Sequence, residues 1–478
     1  MKLYQLLKNI NARVKGDTII EITGLYHKDT EVKEGGLFFC LRGTKVDGTK
    51  YVESAINNGA VAIVTEQEVQ NLFGVTQIIV KNAREAMSLF AIKFYGNPAS
   101  KLKLIGVTGT NGKTTTTNMI ANVLKSAGKK TAVIGTNGII FGDKRIFTEM
   151  TTPDPIELQK YLSFMVKSRI EYVCMEVSAH ALDLYKVEGL KFESVVFTNL
   201  TEDHLDYFKT MDKYYEAKKK LFSKKYANFA VVNIDDDYGL KLLESINIPY
   251  FTYSIYDKAD YYAKNIEFKD CKQCFTLNNE EEMTVSMAGK FNVSNSLASI
   301  AVLKNLGIES SIIKDTLNKM APVEGRFNTY NLNGIIIVID YAHTPDGLKN
   351  ILFACREICD KKLISVFGCG GNREVQKRSI MGEISTTYAD VTIITSDNPR
   401  FEKRENIIKD ILKGVTRDNY FIELDRSAAI LKAVRLAREG DFIVLSGKGA
   451  ENYIDENGVK IPYSDYAEVE KIRRELNE

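Results

Sequence analysis

Residues 106–120 read GVTGTNGKTTTTNMI, and the chain around them is LKLIGV (102–107) before and TTTTNMIANVLKSAG (114–128) after. The first run is strand-like and the second has helical periodicity, so the glycines occupy a strand-to-helix turn. The common phosphate loop is G-x-x-x-x-G-K-[ST]. Counting back five from Gly112 reaches Val107, and Gly106 lies one place too far. What remains is the shorter G-x-x-G-K-T of residues 109–114. Backbone N–H groups of Gly109, Thr110, Asn111 and Gly112 would face an anion, and the helix start adds partial positive charge. Lys113 can reach terminal phosphate oxygens, and Thr114, followed by Thr115, can ligate magnesium.

Outward from this turn the same rhythm continues. KTAVIGT (130–136), YVCMEVS (172–178), SVVFTNL (194–200) and FAVVNID (229–235) are β-branched runs that end in polar or glycine-rich turns. They predict parallel strands joined by crossover helices. The series restarts with IIIVIDYA (335–342), LISVFGCGG (363–371), VTIITSDNP (391–399) and DFIVLSGKG (441–449). KMAPVEGRFNTYNLNG (319–334) lies between the two series and carries the turn formers of a linker. The fold expected is α/β in three domains: a small mixed α/β N-terminal unit over 1–100, a central, mostly parallel-sheet P-loop ATPase unit over 101–331, and a Rossmann-like C-terminal unit over 332–478. In open α/β sheets ligands collect beyond the carboxyl ends of the strands.

A chain of 478 residues is too long for one core. Lys plus Arg is 64 against 62 for Asp plus Glu, a balance that argues against coating nucleic acid or membrane and favours small polar ligands. No apolar run reaches the ~18 residues of a membrane span, and the first residues lack a secretory h-region. A cytoplasmic monomer is expected. The seven cysteines include one C-x-x-C, Cys271 and Cys274, without the further ligands zinc needs, and read as free structural thiols.

Three of the four histidines, His180, His204 and His343, stand beside carboxylates or strand-end turns. Glu176 and His204 close candidate neighbouring strands and could share a cation, although Mg²⁺ prefers oxygen. YYEAKKKLF (214–222) reads by itself as a solvated helical face. In the second half Arg373, Asp397, Asn398 and Arg400 follow strands: arginine suits a carboxylate, and aspartate with asparagine suits an ammonium. Together they suit a zwitterionic amino acid.

With these residues assembled, the chain resembles the Mur ligases, ATP-dependent amide-forming enzymes of peptidoglycan precursor synthesis. GTNGKTT, TTPD, EVSAHAL, TNLTEDHLDYF, YYEAKKKLF, FNVSNSLAS, EGRFN, DYAHTPD and GCGGNRE recur in that family's order and approximate spacing. SDNPR followed by SGKGAE is similar to members that add meso-diaminopimelate to UDP-N-acetylmuramoyl-L-alanyl-D-glutamate. Members that add L-lysine, and folylpolyglutamate-synthase-like ligases, are the alternatives within the fold, and a nucleotide switch that makes no bond is the alternative outside it.

The resemblance implies ATP and Mg²⁺ as cofactors, with Lys113, Lys218 and His204 catalytic. Lys218 aligns with a lysine that the family carbamylates, which would join Thr114, Glu176 and His204 around magnesium. Asn295, Arg326, Asp340 and His343 align with nucleotide contacts. Asp29, Thr30, Asp47, Gly48, Thr151, Thr152, Ser178 and Lys186 align with contacts to the UDP substrate. Arg373, Asp397, Asn398, Pro399, Arg400, Gly447 and Glu451 align with the amino-acid pocket. The chain departs from the family at Lys28, Asp29 and Thr30, where D-S-R is usual, and at Val46, where histidine is frequent. Leu184 and Lys186 replace glutamine and arginine, and Ala450 replaces the histidine of GKGHE. A sulfur-bridged analogue such as lanthionine has a shape and charge similar to those of diaminopimelate and is also compatible.

Overall fold

Among the described residues, strand pairing gives sheets of five, eleven and six strands and one separate hairpin. The computed structural model describes residues 1–43, 47–70, 72, 74–269 and 272–477. Val46 and Cys271, both singled out above, lie outside the described residues.

The eleven-stranded sheet is built on the strand Lys103–Thr108, flanked in parallel by Tyr172–Glu176 and Phe192–Phe197. Every residue of that strand after Lys103 is buried, as expected where helices cover both faces. Alternation divides its side chains: Leu104 joins a core with Leu158 and Leu162, while Ile105 and Val107 join one with Met119, Ile120 and Leu297. Parallel pairing extends through Ala227–Asn233 and Tyr250–Ser254 to Tyr261–Lys269, and beyond them Lys272–Leu277 and Glu281–Val285 add an antiparallel tail. That tail has few apolar alternations, and the sequence rhythm does not announce it.

The six-stranded sheet runs Asn328–Leu332, Ile335–Asp340, Phe442–Ser446, Leu363–Phe367, Val391–Ile394, Tyr420–Ile422, parallel after the first pair. Its edge strand Asn328–Leu332 lies within the stretch expected to be a linker. The turn formers there bound the strand, and Leu332 buries its side chain. The five-stranded N-terminal sheet contains Gly36–Phe39 and Ala60–Thr65, which pair in parallel. The architecture is the expected α/β arrangement, and carboxyl ends of parallel strands from the two larger sheets meet around one cleft. Among the described residues no helix is long and apolar enough to cross a membrane, and the described cysteines, Cys274 included, are free.

Candidate active site

The phosphate loop takes its shape from two glycines. At Gly109 an added Cβ would lie 1.8 Å from Thr198 Oγ1; at Gly112, where φ is +85°, it would lie 2.5 Å from Asn295 Oδ1. The loop is braced by the next strand end: Thr110 N donates to Asn199 O at 3.0 Å, Asn111 N to Asn199 Oδ1 at 2.8 Å, and Thr198 Oγ1 to Asn111 O at 2.6 Å. Lys113 starts the helix Lys113–Ser126. Its ammonium turns back onto the loop, donating to Gly109 O at 2.9 Å and Thr110 O at 2.8 Å. Burial lowers its pKa.

Three of the four residues aligned with a magnesium site line the cleft: Thr114, Glu176 and His204. Glu176 is 1% exposed, and its carboxylate accepts from Thr136 N at 2.8 Å and Thr136 Oγ1 at 3.1 Å. Thr114 Oγ1 accepts from Arg326 Nη2 at 3.0 Å. His204 adopts φ +58° and lies 3.3 Å from Asp203 Oδ2 through Nε2. Burial, reinforced by His180, Lys218 and Lys113, lowers the pKa of its imidazole against the pull of Asp203. Asp203 stays ionised despite its burial because His204, His343, Lys377 and the His204 N–H all favour the anion.

Lys218 lies behind this wall rather than on it. The side chain is 1% exposed, donates to Gly109 O at 2.8 Å and sits 4.5 Å from the centre of the Tyr214 ring. Burial, followed by repulsion from Lys113, drives its pKa well below that of a free lysine. The solvated face expected from KKK is therefore only partly present, since Lys220 is exposed and Lys219 half-buried. No group of three or more His, Cys, Asp and Glu side chains able to hold a metal forms among the described residues. Thr114 and Glu176 supply the hard oxygens that Mg²⁺ favours, and Lys218 adds another only as a carbamate. On that condition the donor set fits the ion. His180, in contrast, packs into an aromatic cluster with Tyr207, Phe208 and His204.

Thr151, Thr152, Ser178 and Lys186 line the same cleft. Thr152 Oγ1 ties the segment to the neighbouring strand end, donating to Glu176 O at 3.0 Å and accepting from Ser178 N at 3.1 Å. Lys186 pairs with Asp154 at 3.0 Å, and Asp154 also lies 3.5 Å from His27 Nε2 of the N-terminal unit. Asp29, Thr30, Asp47 and Gly48 do not line this cleft. Asp29 accepts from Ser54 Oγ at 2.7 Å, Asp47 caps Thr49 N at 3.0 Å, and Gly48 leaves no room for a Cβ against Leu41.

The C-terminal unit closes the other side. Arg326, reaching Thr114, also stacks over the Tyr341 ring at 4.7 Å. Asp340 accepts from Phe327 N and Ala342 N, both at 2.8 Å, while burial raises its pKa. His343 Nδ1 lies 2.8 Å from Tyr341 O, and burial, reinforced by Lys377, lowers its pKa to about 4. Asn295 faces Gly112 from the helix Lys290–Asn305.

Beyond the carboxyl ends of the C-terminal strands, Arg373, Asp397, Asn398, Arg400, Gly447 and Glu451 converge. Asn398 Nδ2 donates to Glu451 Oε2 at 2.9 Å, and the buried Lys448 donates to Asn398 Oδ1 at 2.6 Å. Burial would raise the Asp397 pKa, but Lys448 and Arg426 hold it below the usual carboxylate range. Arg400, at φ +50°, donates through Nη1 to Gly371 O at 2.8 Å. Pro399 is buried behind this corner, its carbonyl against Gly371.

All three groups of side chains border one cavity of about 900 Å³. Sequence reasoning passed over Asp203, Asp346, Lys377 and Lys448. Asp203 sits inside the quoted TEDH and Asp346 inside DYAHTPD, but the partners of the latter come from the distant phosphate loop, with Asn111 Nδ2 donating to Asp346 Oδ2 at 2.8 Å. Nothing local distinguishes Lys377.

The sequence pattern of the Mur ligase family, catalytic domain, matches residues 21–95; that of the Mur ligase middle domain matches 107–303; and that of the Mur ligase, glutamate ligase domain matches 325–449. The UDP-N-acetylmuramoyl-L-alanyl-D-glutamate--2,6-diaminopimelate ligase 1 of Clostridium acetobutylicum is 45% identical over 460 residues, 95% of each chain. A solved structure of a UDP-N-acetylmuramoyl-L-alanyl-D-glutamate--2,6-diaminopimelate ligase superposes with TM-score 0.71 at 29% identity, covering 100% of this chain and 99% of the other. The MurF ligase of Thermotoga maritima, solved in complex with ADP, shares the fold at TM-score 0.64 and 20% identity, covering 97% of this chain and 99% of that one.

Proposed function

The chain belongs to the Mur ligase family, and on that footing we propose that it joins meso-diaminopimelate to UDP-N-acetylmuramoyl-L-alanyl-D-glutamate at the expense of ATP, in peptidoglycan precursor synthesis. It is an ATP-dependent, amide-bond-forming ligase. The observation that carries the substrate reading is the shared cavity: the phosphate loop, the Thr151–Thr152–Ser178–Lys186 wall and the Arg373–Arg400–Glu451 corner open onto the same space.

A carboxylate at neutral pH is a poor acylating agent. Transfer of the γ-phosphoryl group to one of its oxygens gives an acyl phosphate, and ADP departs with the bridging oxygen. The amine of the incoming residue then attacks the acyl carbon, loses a proton, and phosphate leaves. Lys113 and the loop N–H groups neutralise the crowded phosphate oxygens. Mg²⁺, held by Thr114, Glu176 and a carbamylated Lys218, would supply further charge neutralisation to the phosphates. Arg326 bridges the phosphate-loop helix and the C-terminal unit, so substrates from both sides are aligned together. Such alignment is worth roughly 7–11 kcal/mol of barrier.

In the amino-acid corner, Asp397 and Glu451 suit the two ammonium groups, and Arg373 and Arg400 suit the two carboxylates of a diamino diacid. Lysine lacks the second carboxylate and would leave an arginine unpaired. Mass spectrometry of the product formed from ATP, the UDP-linked dipeptide and equal diaminopimelate and lysine tests the reading. A diaminopimelate adduct is expected, and a lysine adduct or free hydrolysis of ATP would overturn it.

A further inference from the structure

Lys377 lies in the first turn of the helix Gln376–Tyr388 and is 7% exposed, yet it lines the cavity. Its ammonium donates to His343 O at 3.1 Å, and among the described residues it pairs with no carboxylate. Among the described residues some other cavity cations are compensated. Lys186 has Asp154 at 3.0 Å and Lys290 has Glu357 at 2.8 Å. Lys113, in the phosphate loop, is similarly left with backbone carbonyls, and among the described residues Arg326 and Arg373 also pair with no carboxylate. The two lysines reach one cavity from helices of different units.

An ammonium withdrawn from water without a counter-ion costs several kcal/mol, so the position is suited to an anion that arrives with substrate. Asp203, across the cleft, is an incomplete partner: its carboxylate accepts from His204 N at 2.9 Å and faces His204 Nε2 at 3.3 Å. Attachment to the His343 carbonyl places Lys377 on the nucleotide side of the corner formed by Arg373 and Arg400. An anion held there would share the cavity with both the phosphate loop and the amino-acid residues, where a phosphoryl group passing from ATP to the substrate carboxylate has to be received.

We infer that Lys377 is a further catalytic residue, donating hydrogen bonds to the phosphoryl group as it moves from ATP to the substrate carboxylate and again as phosphate leaves. The inference rests on the ligase reading above. In the first step the carboxylate oxygen bonds to γ-phosphorus while the bond to the β–γ bridging oxygen breaks, its electron pair leaving with ADP. In the second the amine nitrogen bonds to the acyl carbon and releases a proton, while the acyl carbon–oxygen bond breaks onto phosphate. Lys377 transfers no proton in either step.

Single-turnover formation of ADP, at saturating ATP, UDP-linked dipeptide and diaminopimelate, tests this in Lys377→Met. Loss of one aimed donor predicts a rate about a hundredfold lower, with KM for ATP and for diaminopimelate within about twofold of wild type and with partial recovery in Lys377→Arg. An unchanged rate would overturn the inference. So would a defect cured by more diaminopimelate, which would make Lys377 an amino-acid anchor. Thermal unfolding checks each variant, and Lys377→Gln carries the same comparison should the methionine variant not fold. A wild-type enzyme whose ADP formation ignores the dipeptide would count against the ligase reading itself, leaving a distinct signature from failure of Lys377 alone.

Discussion

Lys113 and Lys218 both donate to the carbonyl oxygen of Gly109, at 2.9 and 2.8 Å. Two lysines on one acceptor repel, and with Lys218 almost wholly buried its amine is the one driven furthest from the charged form. A neutral buried amine is a nucleophile towards CO₂. The carbamate so formed would set an anion beside the Lys113 ammonium.

Lys218→Ala should therefore lose ligase activity by two orders of magnitude or more, about the cost of one aimed charge-stabilising group, and small carboxylates such as acetate should restore part of it. ¹³C NMR of wild-type enzyme in ¹³C-bicarbonate should show a carbamate signal that the alanine variant lacks. Equal activity of Lys218→Ala and wild type would remove the carbamate from the account.

Asn111 and Asp346 are separated by 235 positions yet joined by a 2.8 Å hydrogen bond across the cleft. Burial raises the Asp346 pKa, and the Asn111 amide opposes that rise. Asp346→Ala should lower kcat/KM for the diamino acid roughly ten- to a hundredfold, the value of a hydrogen bond to a charged group, with nucleotide affinity little altered. Steady-state kinetics against each substrate separate the two effects, and a loss confined to ATP affinity would contradict a role in aligning the units.

Arg400→Ala should reduce use of diaminopimelate by roughly ten- to a hundredfold while ATP binding holds. Its guanidinium is held at the corner by Gly371 O, so the charge is aimed before substrate arrives. Unchanged kinetic constants for diaminopimelate would take Arg400 out of the pocket.

Burial lowers the His343 pKa from its ordinary 6.5 to about 4 in the folded protein. Between those values the unfolded state binds the extra proton. Its stabilising contribution is present above pH 6.5 and is lost as pH falls towards 4, by at most about 3 kcal/mol. Thermal midpoints of wild type and His343→Gln at pH 7.5 and 5 should show the smaller acid loss in the variant; parallel behaviour would contradict it.

Much of the site was readable because strands buried on both faces leave continuous apolar runs, and because the glycines at 109 and 112 mark a backbone that no other residue fits. Lys218 was readable only through family resemblance, although a physical signal existed. Tyr214, Ala217, Lys218 and Leu221 follow helical spacing and all are buried, so the lysine occupies an apolar stripe, which three consecutive lysines disguise. The Asn111–Asp346 and Thr114–Arg326 contacts join parts of the chain more than 200 residues apart, and no local pattern encodes them. In the N-terminal unit Asp29 and Asp47 are occupied with capping and bracing, a use that their place in a motif does not disclose.

The central claim is that the substrate's own carboxylate receives the γ-phosphoryl group. Labelling that carboxylate with ¹⁸O and analysing the phosphate released in the presence of diaminopimelate tests it directly. One ¹⁸O per phosphate is predicted, and unlabelled phosphate accompanying amide formation would contradict the account.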